Sequence, residues 1–153
     1  MMKKLILNIL IFIFLSSCGY VPIYSVNNKV NFEVGKINIT GDRDLNQHIL
    51  NQMKNLKSQK GNNKNIFDLN INTNIEKIVT SKDSKGNPKT YKMISTVSLT
   101  TEVDGKEYNF SSESIENYND ISSKFELESF EKNLKKNSAS KISQEIIVYL
   151  ITL

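Results

Sequence analysis

Asp104-Gly105 stands between two runs that alternate apolar and polar residues, and it leaves this chain little freedom. Ahead of it, Tyr91, Met93, Ser95, Val97, Leu99, Thr101 and Val103 keep one phase; behind it, Tyr108, Phe110 and Ser112 begin a return. Both central residues of a type I′ turn need positive φ, which Asp-Gly supplies cheaply, and so short a connection forces antiparallel pairing. Upstream, Phe67, Leu69, Ile71, Thr73 and Ile75 alternate with Asp68, Asn70, Asn72 and Asn74, which reads as a strand with one apolar and one wet face. Ile78 falls off that phase and predicts a bulge or strand end near Glu76 to Lys77. The result is a three-stranded meander, its last strand reaching about Asn117, with Tyr118 to Ile121 as a loop.

A shorter strand and two helices flank the meander. Gly35 to Thr40 alternates with Ile37 and Ile39 facing inward, and Gly41-Asp42 breaks it. Asp42 or Asp44 can accept from the free amides of a helix start. Leu45, Ile49, Met53 and Leu56 then share one helical face as far as about Ser58, with Lys54 and Lys57 in the last turns and Gly61 as the stop. After the meander, Ser123 and Glu126 form a capping box that opens a long helix. Its face is Leu127, Phe130, Leu134, Ser138, Ile142, Ile146, Tyr149 and Leu153, and the small Ser138 and Ala139 allow a close approach to the sheet. Ile146 to Ile151 is apolar on more than one side and rich in β-branched residues. That segment is a deeply buried helix end, a helix end covered by a partner, or a strand.

The N-terminus has a different character. Lys3 and Lys4 precede a run from Leu5 to Leu15 that is apolar but for Asn8, followed by Ser16, Ser17 and Cys18. Charge, a short apolar core and small residues make an export signal. A spanning helix wants about 20 apolar residues, and this run stops short. Leu15-Ser16-Ser17-Cys18 resembles the lipobox of bacterial lipoproteins. That resemblance implies loss of residues 1–17 as a signal peptide and acylation of Cys18 on its thiol and its new amino group. Gly19, at the place where an aspartate can signal retention at the inner membrane in that class, permits passage to an outer membrane. Residues 18–31 are then a tether, kept extended by Pro22, in which Tyr20, Ile23 and Tyr24 either pack on something or merely space the lipid from the domain.

Residues 32–153 suit one domain with one core. Lys3 and Lys4 leave with the signal while every acid stays, so 20 bases fall to 18 against 16 acids, a balance of +2. That is too mild for a general nucleic-acid binder. Cys18 is the only cysteine, so no disulfide forms within the mature chain. His48 beside Ile49 has no second ligand at metal spacing. There is no Gly-x-Ser-x-Gly elbow and no phosphate loop, and Glu113, Glu116, Glu126, Glu128 and Glu131 read as solvent-facing. The expectation is a protein that is not an enzyme and needs no metal or cofactor.

The order strand, helix, meander, helix behind a lipobox resembles the LPS-assembly lipoprotein (LptE) family. The stretches that carry the resemblance are Cys18-Gly19-Tyr20-Val21-Pro22-Ile23-Tyr24, like the family's Cys-Gly-Phe-Arg-Pro-Leu-Tyr, and Lys89 to Val97, like its Tyr-x-Met-x-x-Thr-Val strand. Val21 departs from the arginine common there. The resemblance implies an α+β two-layer sandwich with two helices on one face of a four-stranded, mostly antiparallel sheet. It also implies a plug in the lumen of the LptD barrel that helps insert lipopolysaccharide into the outer leaflet. The family's basic contacts to lipopolysaccharide fall by position near Lys85 and Lys124, and Lys82 and Lys89 share the first loop. Lysine ammonium groups pair with lipid A phosphates as point charges. The alternatives are a solvated turn with lysines for solubility, and another lipid-anchored module such as a secretin pilot or a solute-binding accessory.

Overall fold

The computed structural model describes residues 32–57 and 65–153. Cys18, the tether of residues 18–31 and the helix stop expected at Gly61 lie outside them. The element order is β1 (Phe32–Gly41), α1 (Arg43–Lys57), β2 (Asn65–Lys82), β3 (Pro88–Val103), β4 (Lys106–Asn119) and α2 (Lys124–Ile151). The strands stand in chain order across one sheet. β1 and β2 run parallel, with α1 as the crossover, and the remaining pairs are antiparallel.

The odd residues of β2 and β3 and the even residues of β4 face the helices. Phe67, Leu69, Ile71, Met93, Val97 and Leu99 are buried there, and so are Leu45, Ile49, Met53 and Leu56 of α1. The α+β two-layer arrangement with both helices on one face is therefore as expected, and so is the hairpin, with φ of 51° at Asp104 and 74° at Gly105. Asp42 caps α1 through its side chain, accepting from the Leu45 amide at 2.9 Å. Ser123 caps α2, accepting from the Glu126 amide at 3.4 Å. The C-terminal segment is helix, not strand: Ile146 and Leu150 are buried while Val148 and Ile151 are half exposed. Ser138, Ala139 and Ser143 of α2 are buried. Lys135 ties the helices together, its ammonium 3.1 Å from Asp42 Oδ2 and 3.4 Å from Asp44 Oδ2.

Four expectations are corrected. β1 begins at Phe32, and its core residues include Phe32 and Val34 as well as the half-buried Ile37 and Ile39. Two phases join because Gly35-Lys36 bulges: Val34 pairs with Phe67 but Ile37 with Leu69, three steps against two. The Lys36 amide freed by the bulge donates to Asp68 Oδ1 at 2.7 Å, and a side chain on Gly35 would strike that carboxylate. Secondly, β2 does not break at Glu76 to Lys77; it stays paired with β3 to Lys82, and its irregularity comes at Thr80. Ile78 is out of phase because it faces away from the helices. Thirdly, Tyr118 belongs to β4 and not to a loop; it is buried beside Tyr91 and Met93. Fourthly, Glu131 turns inward, where its Oε1 lies 2.6 Å from the Lys77 ammonium and accepts from the Tyr118 hydroxyl at 2.8 Å.

Candidate functional site

Three structural ends meet at one edge of the sheet: the close of β2, the start of β3 and the close of β4. Lys82 pairs with Pro88, Thr90 pairs with Asn119, and the Asp120 amide donates to the Lys89 carbonyl at 2.8 Å. α2 starts four residues after Asp120, so Lys82, Lys85, Lys89 and Lys124 all belong to this end, and all four are exposed. Residues distant in the chain are thus brought to one place.

The turn between β2 and β3 is built to hold its shape. Asp83 accepts from the amides of Lys85 and Asn87, both at 2.8 Å, and from the Asn87 side chain at 3.1 Å. Backbone bonds from Asp83 N to the Asn87 carbonyl and from Gly86 N to the Asp83 carbonyl complete it. The one acid within the turn is therefore consumed by the turn, and its lysines project from an ordered frame. The Asn87 side-chain bond, followed by the Asn87 amide, holds the Asp83 carboxyl below its ordinary 3.8. A depressed carboxylate stabilises above its unfolded value and loses that contribution as pH falls through the folded one. The amide resonances of Lys85 and Asn87 should accordingly titrate together with a midpoint below 3.8; a midpoint at the unshifted value would mean that the carboxylate does not organise the turn.

Beneath the turn lies an aromatic and ionic cluster. Tyr91 and Tyr118 stack at 5.3 Å, Phe130 tilts onto Tyr118 at 5.8 Å, and the Lys77 ammonium sits 4.1 Å from the Tyr91 ring centre. The Tyr91 hydroxyl donates to Asp120 Oδ1 at 3.3 Å. Burial and then the Glu131 bond push the Tyr118 hydroxyl well above its usual range, and burial with the Asp120 charge pushes Tyr91 in the same direction. Both phenols stay protonated donors at any physiological pH, and their bonds to Glu131 and Asp120 brace the end of the sheet. Among the described residues no three of His, Cys, Asp and Glu are grouped to hold a metal ion.

Sequence reasoning missed Lys77 and Glu131, and the only signal was the i, i+4 step from Leu127. At the opposite end of α2, Tyr149 stacks on Phe110 at 4.9 Å and donates to the Asn109 carbonyl at 3.1 Å. A mostly apolar groove of about 510 Å³ beside it is lined by Phe110, Val148 and Tyr149. The sheet face turned away from the helices is polar over β1 and β2, with Asn38 bonded to Asn70 at 2.9 Å and Thr40 to Asn72 at 3.3 Å.

No protein-family model matches the chain, and no curated protein does. Among solved structures, the fold matches rare lipoprotein B from Shewanella oneidensis with a TM-score of 0.55 and 18% identity, over 77% of this chain and 98% of that one. Uncharacterized lipoprotein B from Nitrosomonas europaea is also similar, with a TM-score of 0.48 and 14% identity over 78% of this chain and 84% of that one. The chain thus has the fold of rare lipoprotein B.

Proposed function

We propose that this chain is a non-enzymatic outer-membrane lipoprotein, anchored through acylated Cys18, that assembles with the LptD barrel and presents its basic end to lipopolysaccharide. The gathering of Lys82, Lys85, Lys89 and Lys124 at one end of the sheet carries the reading. Lysines on an ordered turn are pre-placed for phosphate, so less side-chain and backbone freedom is lost on binding. Three further features support it. The export signal ends in a lipobox, the fold is shared with a protein named as a lipoprotein, and the Asn and Thr rows of the outer sheet face suit the polar interior of a large barrel.

Depletion tests the assembly role: the LptD barrel should misassemble and lipopolysaccharide should fall at the cell surface. Normal levels of both would refute it. The charge role is tested separately by replacing Lys82, Lys85 and Lys89 together with serine. All three are exposed, so folding stability should change by no more than about 0.5 kcal/mol. Binding of the phosphorylated glycolipid should weaken, and its salt dependence should shrink. Unchanged binding would leave the turn as a solvated loop.

A further inference from the structure

The outer face of β3 and β4 changes chemistry in steps as it leaves the basic turn. Three cross-strand rows set the order: Ser81, Thr90 and Asn119 come first, then Ile78, Lys92 and Asn117, then Glu76, Ile94 and Ile115. At about 3.3 Å per residue, Thr90 and Ile94 are roughly 13 Å apart. Beside the first two rows is a depression of about 360 Å³ lined by Thr80, Thr90, Tyr91, Asn117, Tyr118 and Asn119. Its hydroxyls are already clustered, the Thr90 Oγ1 lying 2.6 Å from both Thr80 Oγ1 and Ser81 Oγ. Ile94 and Ile115 of the third row form an apolar patch with Ile78 of the second: Ile115 is 50% exposed, the half-buried Ile94 is directly opposite, Ile78, 37% exposed, is on the diagonal, and Glu76 ends the third row on β2.

We propose that this stepped face is a binding track for a phosphorylated, acylated sugar. Its phosphate would lie at Lys92 and the basic turn, its sugar ring in the Thr90–Asn117–Asn119 depression, and the start of an acyl chain on Ile78, Ile94 and Ile115. The proposal rests on the glycolipid reading above and adds where on the molecule that ligand lies. Each part answers to one chemistry. Hydroxyl and amide side chains both donate and accept, as neighbouring sugar hydroxyls require. Lys92 is the cation of the middle row, and exposed isoleucines gain by covering hydrocarbon. A plain phospholipid leaves the depression unused, and a free sugar phosphate leaves the isoleucines bare. Glu76 flanks Ile94, and Glu113 lies across from Thr96 one row further on, so anionic groups are turned back and the ligand's direction is fixed.

The test uses the full acylated chain in detergent micelles and four probes. These are an acylated glucosamine disaccharide phosphate, its deacylated form, its dephosphorylated form, and phosphatidylglycerol. Lys92→Ser and Asn117→Asp should each weaken the acylated sugar phosphate by about tenfold. Ile115→Ser should weaken the acylated probe to a similar degree and leave the deacylated one unchanged. Amide resonances of Thr90, Lys92, Ile94, Ile115 and Asn117 in the unmodified chain should shift on binding, a readout that needs no variant to fold. Shifts confined to the 82–89 turn, or full affinity in a variant that combines Lys92→Ser, Ile115→Ser and Asn117→Asp, would overturn the track. If the turn-lysine variant then loses binding, the glycolipid reading survives alone. If neither variant loses it, both fall. Phosphatidylglycerol bound as tightly as the sugar probe, with Asn117→Asp inert, would also overturn the proposal, because the face would then read phosphate and hydrocarbon only.

Discussion

Gly41→Ala is expected to destabilise the fold by about 3 kcal/mol, a larger loss than substitution of any other exposed residue should produce. Gly41 closes β1, pairs with Thr73 as the last step of the parallel ladder, and has a φ of 107°. L-residues avoid that conformation, but this is the smaller part of the cost. An added methyl would overlap the Thr73 carbonyl and crowd the Thr73 hydroxyl, which donates to Asn46 Oδ1 of α1 at 2.6 Å. Relief requires the parallel pair to open just where the chain turns into the Asp42 cap. Gly86 and Gly105 provide the internal control, since their φ values are 86° and 74° and nothing lies within 4 Å of an added methyl. Alanine there should cost about 1 kcal/mol, from the backbone alone. At about 4 °C per kcal/mol for a domain of this size, Gly41→Ala should lower Tm by about 12 °C. Equal losses at Gly41 and Gly86 would show that the contact with Thr73 does not matter.

The same contact marks where sequence reasoning stops. Antiparallel pairing was legible because Asp104-Gly105 sits between two runs of constant phase. Both helices were legible because Leu45, Ile49, Met53 and Leu56 on the first, and Ser138, Ile142 and Ile146 on the second, recur at helical spacing. The parallel β1–β2 pair leaves no such trace, because its connection is a helix and not a turn. The bulge at Gly35-Lys36 hid Phe32 and Val34 by switching their phase against Ile37 and Ile39. Beyond Ile75 every residue of β2 to Lys82 is exposed, so along that strand alternation loses its inward and outward meaning. Ile78 then looks like a break when the ladder simply continues.

For the candidate site the division is similar. A loop with Lys82, Lys85 and Lys89 can be seen in the sequence, but Lys124 joins them only because β4 ends beside Lys89 and α2 starts there. Lys92 could not be picked out, since its neighbours Ile78, Asn117 and Thr90 come from three strands whose register must be known to the residue. Glu131 was read as a solvent-facing acid because one turn of helix has several such positions. Only the packing of Tyr118 and Lys77 against that turn separates it from Glu126 and Glu128.

Cys18→Ser, placed behind a leader that is cleaved without lipid attachment, should move the protein entirely from the detergent phase to the aqueous phase in a phase-separation assay. The change of leader matters, because an uncleaved Leu5 to Leu15 run would itself hold the chain at a membrane. Each buried methylene contributes about 0.8 kcal/mol, and two acyl chains already give stable attachment where one gives only marginal binding. The folded domain offers nothing comparable. Among the described residues its exposed large apolar side chains form only small groups, Ile78 and Ile115 beside Ile94 on the outer sheet face and Val148 with Ile151 near the end of α2, while Ile66 and Phe125 lie elsewhere. The core, among the described residues, runs from Phe32 on β1 to Leu150 on α2. Loss of the lipid should therefore leave thermal stability within about 0.5 kcal/mol. Anchoring and folding separate cleanly in this account. A released variant that melts much lower would tie residues 18–31 to the core, and a variant that stays on membranes through high salt and carbonate would remove the acyl group from the explanation. Mass spectrometry of the native protein bears on the same point directly, since an intact leader with a free thiol is incompatible with it.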